Sequence, residues 1–211
     1  AAVGAGGILR DIQATHGALH LSELMRFTNP AEGAASLALR EGLPEAIGFY
    51  LDHGRIHIGD TATLVEDVFT AWAHDHTHGR DPIMLAPTRE AVADLNARAR
   101  THRLTTNAGP TGAQAPAAVV LADGNDASVG DTVITRSNDR RLRVTATDWV
   151  KNGDRWRITD ITPTGAITAA RVRGGRHITL PPAYVTASVD LWYATTIHTA
   201  QGVTADTSHT L

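Results

Sequence analysis

The stretch Tyr193-Ala194-Thr195-Thr196-Ile197-His198-Thr199-Ala200-Gln201-Gly202 gathers hydroxyl, imidazole and amide groups directly after an apolar run. Such groups, closing on a glycine that permits close approach, suit a polar or anionic ligand at the carboxyl end of a sheet, where α/β proteins place their sites. The same residues also read as a strand-to-helix turn with a capping threonine. His74-Asp75-His76-Thr77-His78 offers imidazole and carboxylate ligands of the kind zinc or manganese takes. Alternate residues do not converge on one face of a helix, so a solvated turn at a helix end, beside Gly79, is the expectation and no metal ligand is assigned. A Ser-His-Asp hydrolase would need a G-x-S-x-G elbow, which the sequence lacks.

Composition narrows the chemistry. Lys151 is the only lysine and sits in Val150-Lys151-Asn152-Gly153. The G-x-x-x-x-G-K-[ST] loop that cradles nucleotide phosphates is therefore absent, and the chain is not expected to hydrolyse ATP by itself. The Gly4, Gly6, Gly7 cluster is not a G-x-G-x-x-G fingerprint and reads as a flexible or helix-entry segment. The absence of cysteine excludes disulfides, thiolate zinc sites and a cysteine nucleophile, which points to a reducing cytoplasm. At 211 residues, 42% hydrophobic and 19% charged, the chain is globular and sized for one large domain or two small ones. No apolar run approaches the roughly 20 residues of a membrane-spanning helix, and no signal pattern opens the chain. It begins at Ala1 rather than Met and ends just past the 193–202 stretch, which suggests a piece of something longer.

Charge is sorted along the chain. Between Arg136 and Arg176 stand ten basic residues against four acids, a net of +6 in a chain whose total is −3. A basic module on an acidic body is the electrostatic footprint of a nucleic-acid contact, although an arginine-rich solvated face gives the same count. Arg136, Arg140 and Arg141 are the first candidates for phosphate contacts, which position a strand without reading its sequence. Trp149 and Trp156 either stack on bases or fill the core of the module.

The elements that must position these residues follow from pattern. Leu19 to Leu24 reads as a strand. Asn29-Pro30-Ala31-Glu32 is a capping-box-like start for a helix ending near Gly42, and Pro44 to His53 forms a second helix stopped by Gly54. Arg55 to Ile58 reads as a short strand. Leu64, Val65, Val68, Phe69 and Trp72 recur at helical spacing. Pro82 to Ala86 is a buried strand, followed by Thr88 as cap of a helix through Val92, Leu95, Ala99 and Arg103. From Ala118, short alternating runs at 132–135, 156–161, 167–172 and 177–180 predict a small barrel that Pro181-Pro182 ends. Val189 to Ala194 then returns as a buried strand, leading into a helix toward Gly202. The expected fold class is α/β: a parallel sheet interrupted by an inserted β-barrel.

Four ordered stretches resemble RecD-like superfamily 1 DNA helicases. Tyr-Ala-x-Thr-x-His-x-x-Gln-Gly at 193–202 resembles their motif V. Leu21-Ser22-Glu23-Leu24-Met25-Arg26-Phe27 resembles the segment carrying the arginine of motif IV. Ile83 to Asn96, with Ala86-Pro87-Thr88 and Leu95-Asn96, resembles the next motif of the second RecA-like domain. Gly130-Asp131-Thr132-Val133, Arg136, Asn138-Asp139 and Asn152-Gly153-Asp154 resemble the inserted SH3-like barrel called 2B. Within that family, Asn-Pro-Ala-Glu, Leu-Arg-Glu-Gly, Val-Lys-Asn-Gly-Asp-Arg-Trp and Leu-Pro-Pro-Ala-Tyr-Val are most similar to the helicase part of actinobacterial conjugative relaxases of the TraA and TrwC type.

The resemblance implies a RecA-like domain 2A over 1–121, the barrel over 122–184, and a return to 2A over 185–211. It implies that Arg26 faces the γ-phosphate across a cleft to a missing first RecA-like domain. Gly202 and Thr204 would lie beside the nucleotide; Thr204 stands where many relatives carry an acid on the sugar. Thr88, Asn96, Thr196, His198 and Gln201, with Arg136, Arg140 and Arg141 of the barrel, would contact DNA. The implied partners are single-stranded DNA, translocated 5′ to 3′, and other conjugation proteins, with ATP and Mg2+ used by the intact parent. The alternative is a non-enzymatic, SH3-like protein-interaction module on an α/β scaffold, which would present an exposed aromatic groove.

Overall fold

The computed structural model describes residues 8–17, 27–106 and 117–211, and the chain divides into two compact units, Ala1–Leu64 and Val65–Leu211. The strand expected at Leu19 to Leu24 lies outside the described residues. The first unit holds α1 (Ile8–His16), α2 (Pro30–Arg40) and α3 (Glu45–Asp52). Helix α2 starts as its sequence dictates: the Asn29 carboxamide accepts from Ala31 N at 3.0 Å and Pro30 takes the first turn, where no partner for an N–H is needed. Glu32 pairs with Arg55. Helices α2 and α3 pack together, with Ala35 and Ala46 buried. Arg55 to Ile58, expected as a strand, pairs with no described strand, and Ile58 is 92% exposed. Two isoleucines in a run of four do not make a strand without a ladder partner.

Helix α4 (Thr61–Thr77) crosses the boundary between the units, and Asp60 caps it by accepting from Thr63 N at 3.0 Å. In the second unit, β1 (Pro82–Ala86) leads through Thr88 into α5 (Arg89–Thr106). A run of small strands follows: β2 (Ala118–Val120), β3 (Asp126–Ser128), β4 (Thr132–Thr135), β5 (Asp139–Arg143), β6 (Trp149–Val150), β7 (Arg155–Ile161), β8 (Ile167–Arg171) and β9 (His177–Leu180). Helix α6 (Pro182–Ser188), β10 (Val189–Leu191), β11 (Ala194–Thr196) and β12 (Thr207–Thr210) complete the chain.

Two sheet systems result. A parallel sheet has the order β11-β1-β12, with Met84 opposite Ala194 and Ile83 opposite Ser208. Its centre, Ile83-Met84, is an apolar pair buried on both faces, as a parallel strand requires. The basic module is an antiparallel sheet of order β10-β4-β7-β8-β9, with the ribbons β2-β3 and β5-β6 beside it. The chain is thus an α/β protein in which a parallel sheet is interrupted by SH3-like β structure.

Three expectations are corrected here. The run Val189 to Ala194 is two strands: β10 pairs with β4 in the antiparallel sheet, and β11 joins β1 in the parallel one. Val189 and Leu191 to Ala194 are all apolar and buried, with Asp190 alone between them, so periodicity alone cannot separate the two strands. Pro181-Pro182 does not end the barrel sheet but opens α6, after which the chain re-enters that sheet through β10. No helix runs toward Gly202. One helical turn, closed by Ala200 N to Thr196 O at 3.0 Å, gives way at Gly202, whose φ of +87° directs the backbone away toward β12.

The two systems share one core. Val68, Trp72, Met84, Leu95 and Tyr193 of the α/β part are continuous with Val133, Trp156, Ile158, Ile167 and Leu180 of the barrel. A second cluster, Ile83, Ile134 and Trp192, joins them on the other side. No helix among the described residues is long and apolar enough to cross a membrane.

Candidate functional site

The 193–202 stretch is held from beneath by side chains that composition does not single out. Asn96 on α5 is 2% exposed; its Oδ1 accepts from Tyr193 N at 3.0 Å and Ala194 N at 2.8 Å, and its Nδ2 donates to Ala194 O at 3.3 Å. The amide thus satisfies the backbone where the chain passes from one sheet to the other, where no ladder partner is available. Asp131, fully buried, accepts from Arg103 Nε at 2.7 Å, the Tyr193 hydroxyl at 2.7 Å and Ser128 N at 2.7 Å, with Arg100 at 3.4 Å. Burial and the adjacent Asp131 charge push the Tyr193 phenol well above its ordinary range. This node links α5, the barrel and the strand entering the turn.

Above the node, Thr196 Oγ1 and Thr199 Oγ1 share a hydrogen bond of 2.8 Å, which fixes the first turn. His198, Gln201, Gly202 and Thr204 are exposed. Across from Gln201 and Gly202 stands the barrel, and between them opens a cleft of about 460 Å³. Arg136, Arg155 and Arg173 come from the barrel side, Trp192 and Ile134 contribute apolar surface, and the twelve lining residues include no carboxylate. Arg136 donates to Asp190 at 2.6 Å and lies over the Trp192 ring at 5.6 Å. Arg155 makes a two-pronged pair with Asp81, at 3.1 and 2.8 Å, and also reaches the Thr204 carbonyl at 3.2 Å.

The structure therefore brings together Arg136, Gln201, Gly202 and Thr204, residues that lie far apart in sequence. Gly202 and Thr204, which the resemblance set beside a nucleotide, line the same cleft as Arg136. Thr196 and His198 belong to the same turn but not to the lining. Thr88 is exposed at the end of β1 and caps α5 by accepting from Ala91 N at 3.2 Å. Asn96 is corrected: its amide is spent on the backbone of 193–194 and it is too deeply buried to touch a strand. Arg140 lies over the Trp149 ring at 5.2 Å, whereas Arg141 is held by Asp139 at 2.9 and 3.1 Å. Neither lines the cleft. Arg26 lies outside the described residues.

Of the two tryptophans, Trp156 is fully buried under Arg171 and is core. Trp149 is half-buried between Arg140 and Lys151. Lys151 is committed to Asp148, whose carboxyl is held down at about 2 by hydrogen bonds from Lys151 and Arg171. The 74–78 run, expected as a solvated turn, is mostly the last turn of α4, and its Asp75 is not solvated. It is buried, accepting from Thr207 Oγ1 at 2.6 Å, His209 Nε2 at 3.0 Å and Arg80 Nη1 at 2.7 Å, and so binds α4 to β12. Among the described residues no cluster of three metal-ligating side chains occurs.

Residues 1–61 match the AAA domain family, and residues 119–190 match the family described as the Rv2311 SH3-like barrel domain. No curated protein matches the chain in sequence. Among solved structures, it is similar to the Pif1 of Bacteroides sp in complex with ADP-AlF4, at 16% identity and a TM-score of 0.43, covering 88% of this chain and 44% of that one. It is also similar to the Pif1 helicase from Candida albicans, at 15% identity and a TM-score of 0.40, covering 68% and 46%. The chain spans less than half the length of either.

Proposed function

We propose that this chain is part of a superfamily 1, RecD-like DNA helicase: a second RecA-like domain, 1–121 and 185–211, carrying the 2B barrel over 122–184. The observation that carries the reading is the cleft in which the 199–204 turn faces three barrel arginines, Arg136 and Arg155 held by acids outside the lining and Arg173 paired with no described carboxylate. An anionic polymer satisfies such a site; phosphate contacts dominate nucleic-acid affinity and need no base-specific partner. The AAA domain match over 1–61 and the motif V resemblance support the same direction. Against the protein-interaction alternative, Trp156 is core, and the partly exposed Trp149 is covered by Arg140 and Lys151.

In this reading a single strand lies along the 196–204 turn. Thr196, His198 and Gln201 hold its backbone, Gly202 lets it approach, and Arg136 closes from the barrel. Thr88 and Arg140 extend the contact at its margins, while Arg141 serves through its exposed guanidinium. Gly202 and Thr204 act on the strand rather than on a nucleotide. ATP and Mg2+ would be held by the first RecA-like domain of the parent, with Arg26 reaching across to the γ-phosphate. The parent would translocate 5′ to 3′ in the cytoplasm as the motor of a conjugative relaxase.

Fluorescence anisotropy of a labelled single-stranded oligonucleotide, with a duplex control, tests the reading. Binding that prefers the single strand and weakens steeply between about 50 and 200 mM salt is expected. Salt-independent binding, or none, refutes it.

A further inference from the structure

The β8–β9 hairpin, Arg171-Val172-Arg173-Gly174-Gly175-Arg176-His177, belongs to none of the stretches that carry the resemblance. It folds tightly, with Arg171 N donating to Arg176 O at 2.7 Å and both glycines at positive φ, +99° and +64°. This geometry sets Val172 beside Arg155, through Val172 N to Arg155 O at 3.0 Å, and delivers the next residue, Arg173, into the cleft wall.

Arg173 differs from its two companions there. Arg136 shares its charge with Asp190 and Arg155 with Asp81. No described carboxylate pairs with Arg173, whose guanidinium donates to the Thr204 carbonyl at 3.4 Å. A guanidinium kept without a counter-charge, bridging the barrel to the turn, is a donor available for an oxyanion, which it binds through its planar fork. Opposite it stand Gln201 and the open side of Gly202, where nothing occupies the 4 Å around a notional Cβ.

We propose that Arg173, carried on the β8–β9 hairpin, clamps a phosphodiester group of a single nucleic-acid strand against the 199–204 turn. The proposal rests on the single-strand reading above and adds the residue and hairpin that hold the strand. Arg176, exposed two residues beyond Gly174 and likewise unpaired with any described carboxylate, continues the positive surface outward.

The test uses the 211-residue chain and a fluorescein-labelled oligothymidylate, titrated across about 50 to 200 mM salt. Arg173→Ala should weaken binding roughly tenfold at the low end, the worth of one charge-assisted hydrogen bond. It should also lower the slope of log affinity against log salt by about 1. Arg173→Lys should keep the slope, and Arg98→Ala, an arginine of α5 already held by Glu66 and Asp94, should change neither quantity. Thermal melting of each variant verifies the fold. Binding by the parent chain that Arg173→Ala leaves untouched overturns the clamp and spares the single-strand reading. No binding by the parent chain overturns both. A competition arm separates sources of phosphate: displacement by inorganic phosphate or thymidine monophosphate as readily as by unlabelled oligothymidylate would make the site one for small anions and overturn the strand assignment.

Discussion

Replacing Asp131 by alanine tests whether the barrel and the α/β part are held together as described. The carboxylate has no solvent exposure and receives Arg103, Tyr193 and Ser128 at 2.7 Å each. Its removal leaves the Arg103 guanidinium, 10% exposed, without its counter-ion. Removing one partner of a buried pair costs about 3–5 kcal/mol, because the surviving charge is stranded in a poor dielectric. At about 2–4 °C per kcal/mol for a chain of this length, the melting temperature should fall by about 10 °C. Arg141→Ala breaks a pair whose arginine is 90% exposed and should shift it by no more than about 1 °C. Circular dichroism melts of both variants, with Arg103→Leu and the double variant Arg103→Leu/Asp131→Ala, complete a cycle. The double variant should lose at least about 1 kcal/mol less than the two singles combined. A melt for Asp131→Ala within about 1 °C of the parent, or strict additivity in the cycle, would refute the buried-node argument.

Other outcomes follow from the same geometry. Because Tyr193 ionises less readily folded than unfolded, its contribution is complete below the ordinary phenol value of about 10 and is lost as pH rises beyond it; Tyr193→Phe should flatten that alkaline decline in urea midpoints. Burial pushes the Asp75 carboxyl up, but bonds from Thr207 and His209 and the Arg80 charge outweigh it and hold it at about 2. Its stabilisation is therefore present above the usual carboxylate range and lost as pH falls from about 4 to 2, and Asp75→Asn should remove that acid transition from a pH titration of the melt. Asn96→Ala strands two backbone N–H groups and should cost about 2–4 kcal/mol by chemical denaturation, whereas an Asn96 serving only as a strand contact would leave stability unchanged. Gly130 has φ +92° and an added Cβ would stand 2.8 Å from Arg103 Nη1, so Gly130→Ala should destabilise by about 1–3 kcal/mol in the same assay.

Much was written locally in the sequence. The cap at Asn29, the buried strand Pro82–Ala86, the helix that Thr88 starts, and the short strands at 132–135 and 177–180 depend on residues a few positions apart, so periodicity and capping expose them. The surplus of arginine between 136 and 176 is likewise a property of composition, and it pointed to the module that walls the cleft. What pairs with what is not local. Which arginines keep an uncompensated charge depends on acids remote in sequence: Asp81 neutralises Arg155 across 74 positions and Asp190 neutralises Arg136 across 54, while Arg173, unremarkable in the sequence, meets no carboxylate among the described residues. Asp75 reads locally as part of a solvated turn, yet Thr207 of β12 bonds to it from 132 residues away. Asn96 faces inward because the chain changes sheets at 192–193, a break that the apolar run Leu191 to Ala194 conceals. Local propensity selected the elements; long-range pairing of charge and backbone, which only the folded chain supplies, decided which side chains remain available to a ligand.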